Sequence, residues 1–204
     1  AQSFGFQMWI TNKITFLSNK TVHLHFLKIG IYIMTISLLI PVHDYDIFAF
    51  VSSLRGEIES IPELVEIVIG DDGSSTEFAN KYSLLADKWV KVIRYEKNIG
   101  RAAIRNKLVE ASMGEYLIFV DQDVMIPGTV EEYINKWVSG VGSSSVVSGG
   151  IMYRQSPPSD PDKTLRWKYG LLNEQLKAAD RNHHPYRFFS TFNVMLKRTV
   201  FEKL

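Results

Sequence analysis

Hydrophobic residues follow two different spacings along most of the chain, beginning near Met34. Short apolar or β-branched runs bounded by turn residues are typical of buried strands. Such runs occupy residues 36–40, 66–70, 90–95, 116–120, 145–149 and 192–196. Between them, apolar residues recur three and four positions apart, which predicts amphipathic helices. These helical stretches cover about residues 47–61, 78–85, 101–112, 130–138, 165–179 and 198–204.

The order of these elements predicts the fold class. Strands that alternate with helices favour a parallel sheet with helices packed on its faces. We therefore expect an α/β fold, with a mostly parallel sheet flanked by helices, over residues 34–204. The first predicted helix shows the pattern clearly, because its apolar residues follow a 4-3-4-3 spacing from Ile47 to Ile61.

Residues 1–33 differ from the rest of the chain because they show no clear periodicity. We interpret them as an N-terminal extension of unknown use, with a gene-model artefact as the alternative. The apolar stretch over residues 24–40 is interrupted by Lys28, and its last part is needed for the first strand. Neither a compact apolar core nor a small-residue cleavage site is visible, so a signal peptide is not predicted.

Composition narrows the classes of protein further. The 204 residues suffice for one α/β domain, whereas two domains would be cramped. The absence of cysteine excludes disulfides and thiolate metal sites, and fits a cytoplasmic location. Net charge is only +1, and no nucleic-acid partner is predicted. Residues 163–204 hold nine Lys/Arg against three Asp/Glu, so this part could meet phosphates or an anionic membrane, or be an ordinary solvated face.

Two acidic clusters each follow a predicted strand. One is Asp71-Asp72, and the other is Asp121-Gln122-Asp123. Ligands of open α/β sheets bind beyond the carboxyl ends of the strands. If the chain is extended there, Asp121 and Asp123 point the same way, and their oxygens suit Mg²⁺ or Mn²⁺ bridging to a phosphate. The alternative is that one carboxylate caps a helix or a turn and the other is solvated.

Further polar groups surround these clusters. His43 and Asp44 follow the first strand, and carboxylates can accept hydrogen bonds from a uracil or guanine N–H or from ribose hydroxyls. Gly100 permits close backbone approach ahead of a helix. Arg101 and Arg105 lie four residues apart on one helical face, so both could reach one phosphate or base edge. Solvated arginines at a helix start remain the alternative.

Several common catalytic motifs are missing from the sequence. No GxGxxG follows the first strand, which disfavours a dinucleotide-dependent hydride transfer. There is no GxxxxGK[ST] phosphate loop, and no GxSxG elbow of an α/β-hydrolase.

Four segments taken together resemble the family 2 inverting glycosyltransferases of GT-A fold, the nucleotide-diphospho-sugar transferase fold. They are Pro41-Val42-His43-Asp44, Val68 to Ser74, Asn98-Ile99-Gly100 with Ala103 to Asn106, and Phe119 to Asp123. The resemblance covers about Thr35 to Leu204 and is closest to members that build bacterial polysaccharides. It implies inverting transfer of a sugar from a nucleoside diphosphate sugar to a saccharide or lipid-linked acceptor.

The resemblance also implies cofactors, a location and residue roles. The donor would be a UDP-sugar, with GDP- and dTDP-sugars as alternatives, held with Mn²⁺ or Mg²⁺, and the protein could lie peripherally at the inner face of the membrane. Asp72 would contact the base, and Asp121 and Asp123 would hold the metal, with Asp123 the more direct ligand. The acceptor side would include Trp167 and Asn193. The nucleotide-sugar site would comprise Pro41, His43, Asp44, Asp71, Asp72, Asn98, Gly100, Arg105, Asp121 and Gly150.

The chain departs from the family pattern in two places. His43-Asp44 stands where Tyr-Asn is commoner, which affects the expected contacts with the base. The carboxylate that acts as general base in relatives is expected beyond Leu204, so no catalytic base is assigned. A fragment of this kind is expected to bind the donor and to transfer sugar poorly.

Two other functions are weighed against this one. A haloacid-dehalogenase-type phosphatase needs a small residue where Met125 stands, and an acidic pair downstream, whereas Asp71-Asp72 is upstream. A non-catalytic nucleotide-sugar-binding domain is the second alternative.

The last long helix has its own two interpretations. Its apolar stripe comprises Leu165, Tyr169, Leu172, Leu176 and Ala179. With nearby basic residues, this helix could approach an anionic bilayer. Packing of the stripe on the sheet is the preferred interpretation.

Overall fold

The computed structural model describes residues 34–126, 128–142 and 144–203, so the prediction for residues 1–33 lies outside the described residues. The strands are β1 (Ile36–Val42), β2 (Leu64–Asp72), β3 (Val90–Tyr95), β4 (Tyr116–Val120), β5 (Val146–Ser148) and β6 (Asn193–Lys197). They form one sheet in the order β3-β2-β1-β4-β6-β5. Strands β1 to β4 are parallel, and β6 is antiparallel to both β4 and β5. The mostly parallel sheet is confirmed, whereas the reversal of β6 is a feature that the sequence pattern did not predict.

The helices are α1 (Phe48–Glu57), α2 (Thr76–Ser83), α3 (Arg101–Ala111), α4 (Val130–Val141), α5 (Thr164–Asn173), α6 (Ala178–His183) and α7 (Arg198–Phe201). Single 3₁₀ turns lie at Ile58–Ser60 and Pro161–Lys163. The predicted apolar face from Ile47 to Ile61 is buried as expected, although the 3₁₀ turn forms its last part. Helix α4 begins with a capping box, in which Thr129 and Glu132 each bond the other's backbone N–H.

The core lies on both faces of the sheet because side chains alternate along each strand. On one face, Leu38 and Ile40 of β1 belong to a large cluster with residues of α1, α2 and α4. On the other face, Leu39 belongs to a smaller cluster with Leu108 of α3 and Phe119 of β4. Burial on both sides explains why the central strands are almost continuously apolar.

A buried network of hydrogen bonds holds the start of β4 next to β1. It lies at the edge of the sheet opposite the acidic clusters. The Ser37 hydroxyl donates to Glu66 Oε1 over 2.6 Å, and the Gly114 N–H donates to Ser37 Oγ over 2.8 Å. A Cβ on Gly114 would lie 2.5 Å from the Ser37 nitrogen, so only glycine fits. The network therefore helps to set the register that carries Asp121 to the end of β4.

The preferred interpretation of the last long helix is wrong. The predicted helix is split into α5 and α6, and Leu165 and Leu172 of α5 are 79% and 80% exposed instead of packed on the sheet. Tyr169 of the same stripe is also exposed. The sequence pattern predicted an apolar stripe but not the surface that it faces. Among the described residues, no helix is both long and apolar enough to cross a bilayer.

Candidate functional site

Three strand ends meet at the carboxyl edge of the sheet, with β1 between β2 and β4. The His43 N–H donates to Gln122 Oε1 over 2.8 Å, so the loop after β1 contacts the loop after β4. The His43 ring lies against the other neighbour, with Nδ1 2.9 Å from the Asp72 carbonyl oxygen. Because a carbonyl oxygen only accepts, Nδ1 carries the proton. His43 therefore joins the two acidic clusters, which lie on the same edge.

Asp121 and Arg105 form an ion pair beside this edge. Their side chains are 26% and 13% exposed, and the Arg105 guanidinium also donates from Nη1 to the Arg101 carbonyl oxygen over 3.0 Å. Burial raises the pKa of the Asp121 carboxyl, the charge of Arg105 lowers it, and the neighbouring Asp123 raises it again, with a net increase. Asp121 therefore already has a charged partner on α3, although the effect of burial on its pKa is larger than the effect of that partner.

The chain from Asp121 to Val124 is a turn rather than an extended segment. The Val124 N–H donates to the Asp121 carbonyl oxygen over 3.1 Å, and the Asp121 N–H donates to the Phe192 carbonyl oxygen over 3.0 Å. The expectation that Asp121 and Asp123 point the same way along extended chain is wrong, because β4 ends at Val120. Asp121 lines a cavity with Arg105, whereas Asp123 lines a second cavity beside Tyr45.

Asp123 is the carboxylate that fits a metal ion here. It is exposed, and it has neither a hydrogen bond nor an ion pair with any residue that the structure describes. Over residues 34–126, 128–142 and 144–203, no three His, Asp or Glu side chains are grouped as a ready metal site. Magnesium is commonly held by one or two carboxylates together with substrate phosphates and water. The residues present therefore fit a metal shared with a ligand, not a site built from protein alone.

Asp72 is bound to the main chain ahead of α3. Its two carboxylate oxygens accept hydrogen bonds from the N–H groups of Ile99, over 2.6 Å, and Gly100, over 3.2 Å. Gly100 adopts φ of 92°, a conformation that favours glycine, and α3 begins directly after it. Asp72 therefore positions the start of α3, a role that the strand-end pattern did not indicate.

The loop after β2 is packed closely against the loop after β3. Asp71 is fully buried, and its Oδ1 accepts from the Ser74 N–H over 2.9 Å. Its Oδ2 has no hydrogen-bond partner within the described residues and lies 3.6 Å from Arg94 Nε. Gly73 has φ of 77°, and a Cβ there would lie 2.4 Å from the nitrogen of Asn98, whose side chain is exposed. These contacts give the edge a preset shape.

Pro41 and Asp44 connect β1 to this same loop. Pro41 is opposite Gly70 in the β1–β2 ladder. Asp44 has φ of 45°, and its carboxylate accepts from the Ser75 N–H over 2.8 Å. This hydrogen bond is the main reason why the pKa of Asp44 is lowered. The Asp44 carboxylate therefore holds the loop after β1 against Ser75, the residue directly before α2.

The cavity beside Asp121 has a volume of about 490 Å³. It is lined by Arg101, Ala102, Arg105, Asn106, Asp121, Ser190, Thr191, Phe192 and Phe201. Two guanidinium groups and the N-terminus of α3 make it suitable for a phosphate, because helix N-termini and arginine side chains both favour anions. The residues from Ser190 to Phe192 were not predicted here, because they reach the cavity through the antiparallel pairing of β6 with β4.

The residues expected on the acceptor side and in the sugar pocket have internal partners. Trp167 donates from Nε1 to the Arg154 carbonyl oxygen over 2.7 Å. Asn193 accepts from the Tyr133 hydroxyl over 2.8 Å and donates to the Gly150 carbonyl oxygen over 3.2 Å. Asn193 also lies opposite Val120 in the sheet, one residue from Asp121. Asn193 and Gly150 are therefore near the end of β4, whereas no hydrogen bond or ion pair in the described residues joins Trp167 to the acidic edge.

The sequence of this chain is similar to those of known glycosyltransferases. An uncharacterized glycosyltransferase of Rickettsia felis is 30% identical over 125 residues, which are 57% of this chain and 20% of that protein. The Bacillus subtilis protein described as "Putative glycosyltransferase EpsH" is 34% identical over 93 residues, which are 43% of this chain and 26% of that protein. The chain thus spans only about a quarter or less of these relatives.

Two solved structures share the fold. The mannosyltransferase PcManGT from Pyrobaculum calidifontis, solved in complex with GDP-Man and Mn²⁺, has a TM-score of 0.58 and 16% identity over 85% of this chain and 47% of its own. Mannosyl-3-phosphoglycerate synthase from Rubrobacter xylanophilus has a TM-score of 0.56 and 13% identity, covering 82% of this chain and 55% of its own. These likenesses confirm the expected GT-A fold.

The family itself follows from the sequence match. A model of the family described as "Glycosyl transferase family 2" matches residues 37–204. The match includes all four segments that carried the resemblance, and it does not support the phosphatase alternative. The chain belongs to glycosyl transferase family 2.

Proposed function

We propose that this chain binds a nucleoside diphosphate sugar at the carboxyl edge of its sheet, as the donor-binding part of a sugar transferase. The observation that carries the proposal is the cavity in which Arg101, Arg105 and the N-terminus of α3 lie beside the Asp121 carboxylate. A diphosphate is the ligand class that matches two guanidinium groups and a helix N-terminus. The sugar would be transferred to a saccharide or lipid-linked hydroxyl with inversion, as in family members of this type.

The base of the nucleotide is proposed to lie over the loops after β1 and β2. His43, Asp44 and Asp72 offer polar groups there, and the hydrogen bonds between these loops hold them in place before a ligand arrives. Each oxygen of Asp72 accepts one N–H and retains a lone pair that can accept another. A UDP-sugar is the preferred donor, with GDP- and dTDP-sugars as alternatives.

A divalent cation, Mn²⁺ or Mg²⁺, is proposed to be held by Asp123, with Asp121 nearby. When bound, such an ion supplies Lewis-acid stabilisation of the charge that develops on the leaving diphosphate. The chain's own contributions are to bind the diphosphate through Arg101 and Arg105 and to orient the loop that carries Asp123. No general base is assigned among the described residues.

Ligand-dependent stability tests this proposal. A donor nucleotide at about 100 times its dissociation constant should raise the free energy of unfolding by about 2.7 kcal/mol. UDP, GDP and dTDP are compared in thermal unfolding, each with Mn²⁺ and with EDTA, and the metal alone serves as a control. Absence of a metal-dependent shift with all three nucleotides would rule the proposal out.

A peripheral membrane contact is a further part of the proposal, supported by the exposed stripe of α5. Leu165 and Leu172 are exposed beside Arg166 and Lys168, which is the combination that favours an anionic bilayer. Vesicles with anionic lipid should bind the protein at low salt and release it at high salt.

The variants for this test remove exposed leucines either from α5 or from a surface outside α5. Leu165→Ser with Leu172→Ser should abolish vesicle binding, whereas Leu84→Ser, at an exposed leucine after α2, should leave it unchanged. Equal binding to anionic and neutral vesicles, or equal effects of both substitutions, would contradict the membrane contact.

A further inference from the structure

The ion pair between Arg105 and Asp121 joins two groups that the proposed function would use for different partners. Arg105 is a guanidinium that lines the cavity proposed for the diphosphate. Asp121 is a carboxylate next to Asp123, the residue proposed to hold the cation. In the structure these two side chains neutralise each other. Neither is therefore fully available to a ligand until the pair separates.

The surroundings of Arg105 favour an additional acceptor. Its side chain is mostly buried, with Nη2 on Asp121 and Nη1 on the Arg101 carbonyl oxygen. Its Nε is buried and has no hydrogen-bond partner in the part of the chain that the structure describes. An unsatisfied buried donor costs free energy, so oxygens of a ligand in the adjacent cavity would be favoured partners.

Asp121 can change partner only by rotation of its side chain. Its N–H is bound to Phe192 and its carbonyl oxygen to Val124, so the backbone is held on both sides. Asp123 lies two residues after Asp121, inside the turn that the Val124 N–H closes on the Asp121 carbonyl oxygen, so both carboxylates belong to one turn although they line different cavities. A cation held between them would be attracted by both negative charges.

We propose that the Arg105–Asp121 ion pair is a place-holder that a diphosphate breaks, so that Asp121 is released to join Asp123 in holding the divalent cation. This inference rests on the proposed function. A diphosphate competes well because it carries more charge than one carboxylate and can bind a guanidinium through two oxygens. In the absence of ligand, the pair prevents either charge from being buried alone.

The consequence is a positive coupling between diphosphate and cation through these two residues. A diphosphate that binds Arg105 releases Asp121 for the cation. A cation that binds Asp121 releases Arg105 for the diphosphate. Such coupling is reciprocal, so each ligand raises the affinity of the other by the same factor. The place-holder also predicts an unusual result: loss of one member of the pair should strengthen binding of the ligand that uses the other member.

The test measures each ligand alone. Arg105→Met should increase the affinity for Mn²⁺ without nucleotide by roughly tenfold, measured by electron paramagnetic resonance. Asp121→Asn should increase the affinity for pyrophosphate in EDTA by roughly tenfold, measured by calorimetry. Lys107→Met and Glu110→Gln remove the same charges from an exposed pair on α3, and both should leave the affinities unchanged.

The double variant separates the place-holder from a general charge effect. In Arg105→Met/Asp121→Asn, the gain in Mn²⁺ affinity should disappear, because it depends on the released Asp121 carboxylate. A gain that persists in the double variant, or unchanged affinities in both folded single variants, would overturn the inference. If Arg105→Met does not fold, as judged by circular dichroism, the pyrophosphate measurement on Asp121→Asn decides alone.

The same experiment distinguishes failure of the inference from failure of the proposed function. Nucleoside diphosphates that bind the wild type and Asp121→Asn equally in EDTA would overturn only the place-holder. Absence of binding by pyrophosphate and by UDP, GDP and dTDP to either protein, both in EDTA and with Mn²⁺, would overturn the proposed function, and the inference with it.

Discussion

Two regions of the molecule differ in whether their side chains have partners. One is the carboxyl edge of β1, β2 and β4, and the other is helix α5. At the carboxyl edge, polar side chains are bound by main-chain groups of neighbouring loops: Asp72 by Ile99 and Gly100, and Asp44 by Ser75. On α5, apolar side chains such as Leu172 face solvent. The edge is therefore shaped before any ligand binds, whereas the α5 surface offers contact area that the described part of the chain does not cover.

The largest expected effect is on the free energy of unfolding, and it comes from comparing a buried leucine of α3 with an exposed leucine of α5. Leu108 of α3 is fully buried against the sheet, and Leu108→Ala should lower the free energy of unfolding by about 3 kcal/mol through lost burial and a cavity. Leu172→Ala on α5 should change it by less than about 0.5 kcal/mol. Urea unfolding measures both, and a large loss with Leu172→Ala would show that its side chain is covered in solution.

The second prediction tests the preset shape of the edge at Gly73. A Cβ there would overlap the Lys97–Asn98 peptide, and φ is positive, so Gly73→Ala should destabilise by about 3 kcal/mol. Gly56→Ala is the matched control, because Gly56 lies in α1 with open space around it. That control should be neutral or stabilising by up to about 1 kcal/mol. Equal effects of the two substitutions in urea unfolding would contradict the close packing of the loops.

The third prediction compares two carboxylates on the same edge. Asp72→Ala removes the acceptor for two backbone N–H groups and should cost about 2 kcal/mol of stability. Asp123→Ala should change stability by less than about 0.5 kcal/mol, because the side chain is exposed and unpaired within the described residues. Thermal unfolding without ligands checks both. A larger loss for Asp123→Ala would mean that this carboxylate has a structural partner.

The smallest expected effect is a difference in titration. Hydrogen bonding from Ser75 lowers the pKa of Asp44, so its contribution to stability is present above the unfolded pKa and is lost as pH falls through the folded pKa. Burial raises the pKa of Asp121, so its folded form binds the proton more tightly, and stability declines as pH rises from 3.8 toward the folded pKa. Carboxyl ¹³C resonances should show Asp44 ionising at lower pH than Asp121, and the reverse order would contradict the structure.

Local pattern predicted much of the candidate site because the site lies where parallel strands end. Asp71, Asp72 and Asp121 follow apolar runs, and the carboxyl ends of parallel strands meet at one edge. The pattern did not reveal which carboxylate is paired. Asp121 meets Arg105 across sixteen residues, and Asp72 binds backbone groups that are 27 and 28 residues away. Contacts of this kind depend on loop paths, for which periodicity carries no information.

By itself, the sequence determined the order of the strands and of the helices up to α4, the apolar stripes and the family, because these depend on local periodicity and on short motifs. Only the tertiary structure decided that β6 runs antiparallel beside β4, which brings Phe192 to Asp121. It also decided that Asp121 and Asp123, in the turn after β4, line different cavities, and that the stripe of α5 faces solvent. The physical reason is that strand pairing, turn geometry and burial are set by residues distant in the chain, whose positions are defined only when the whole sheet has formed.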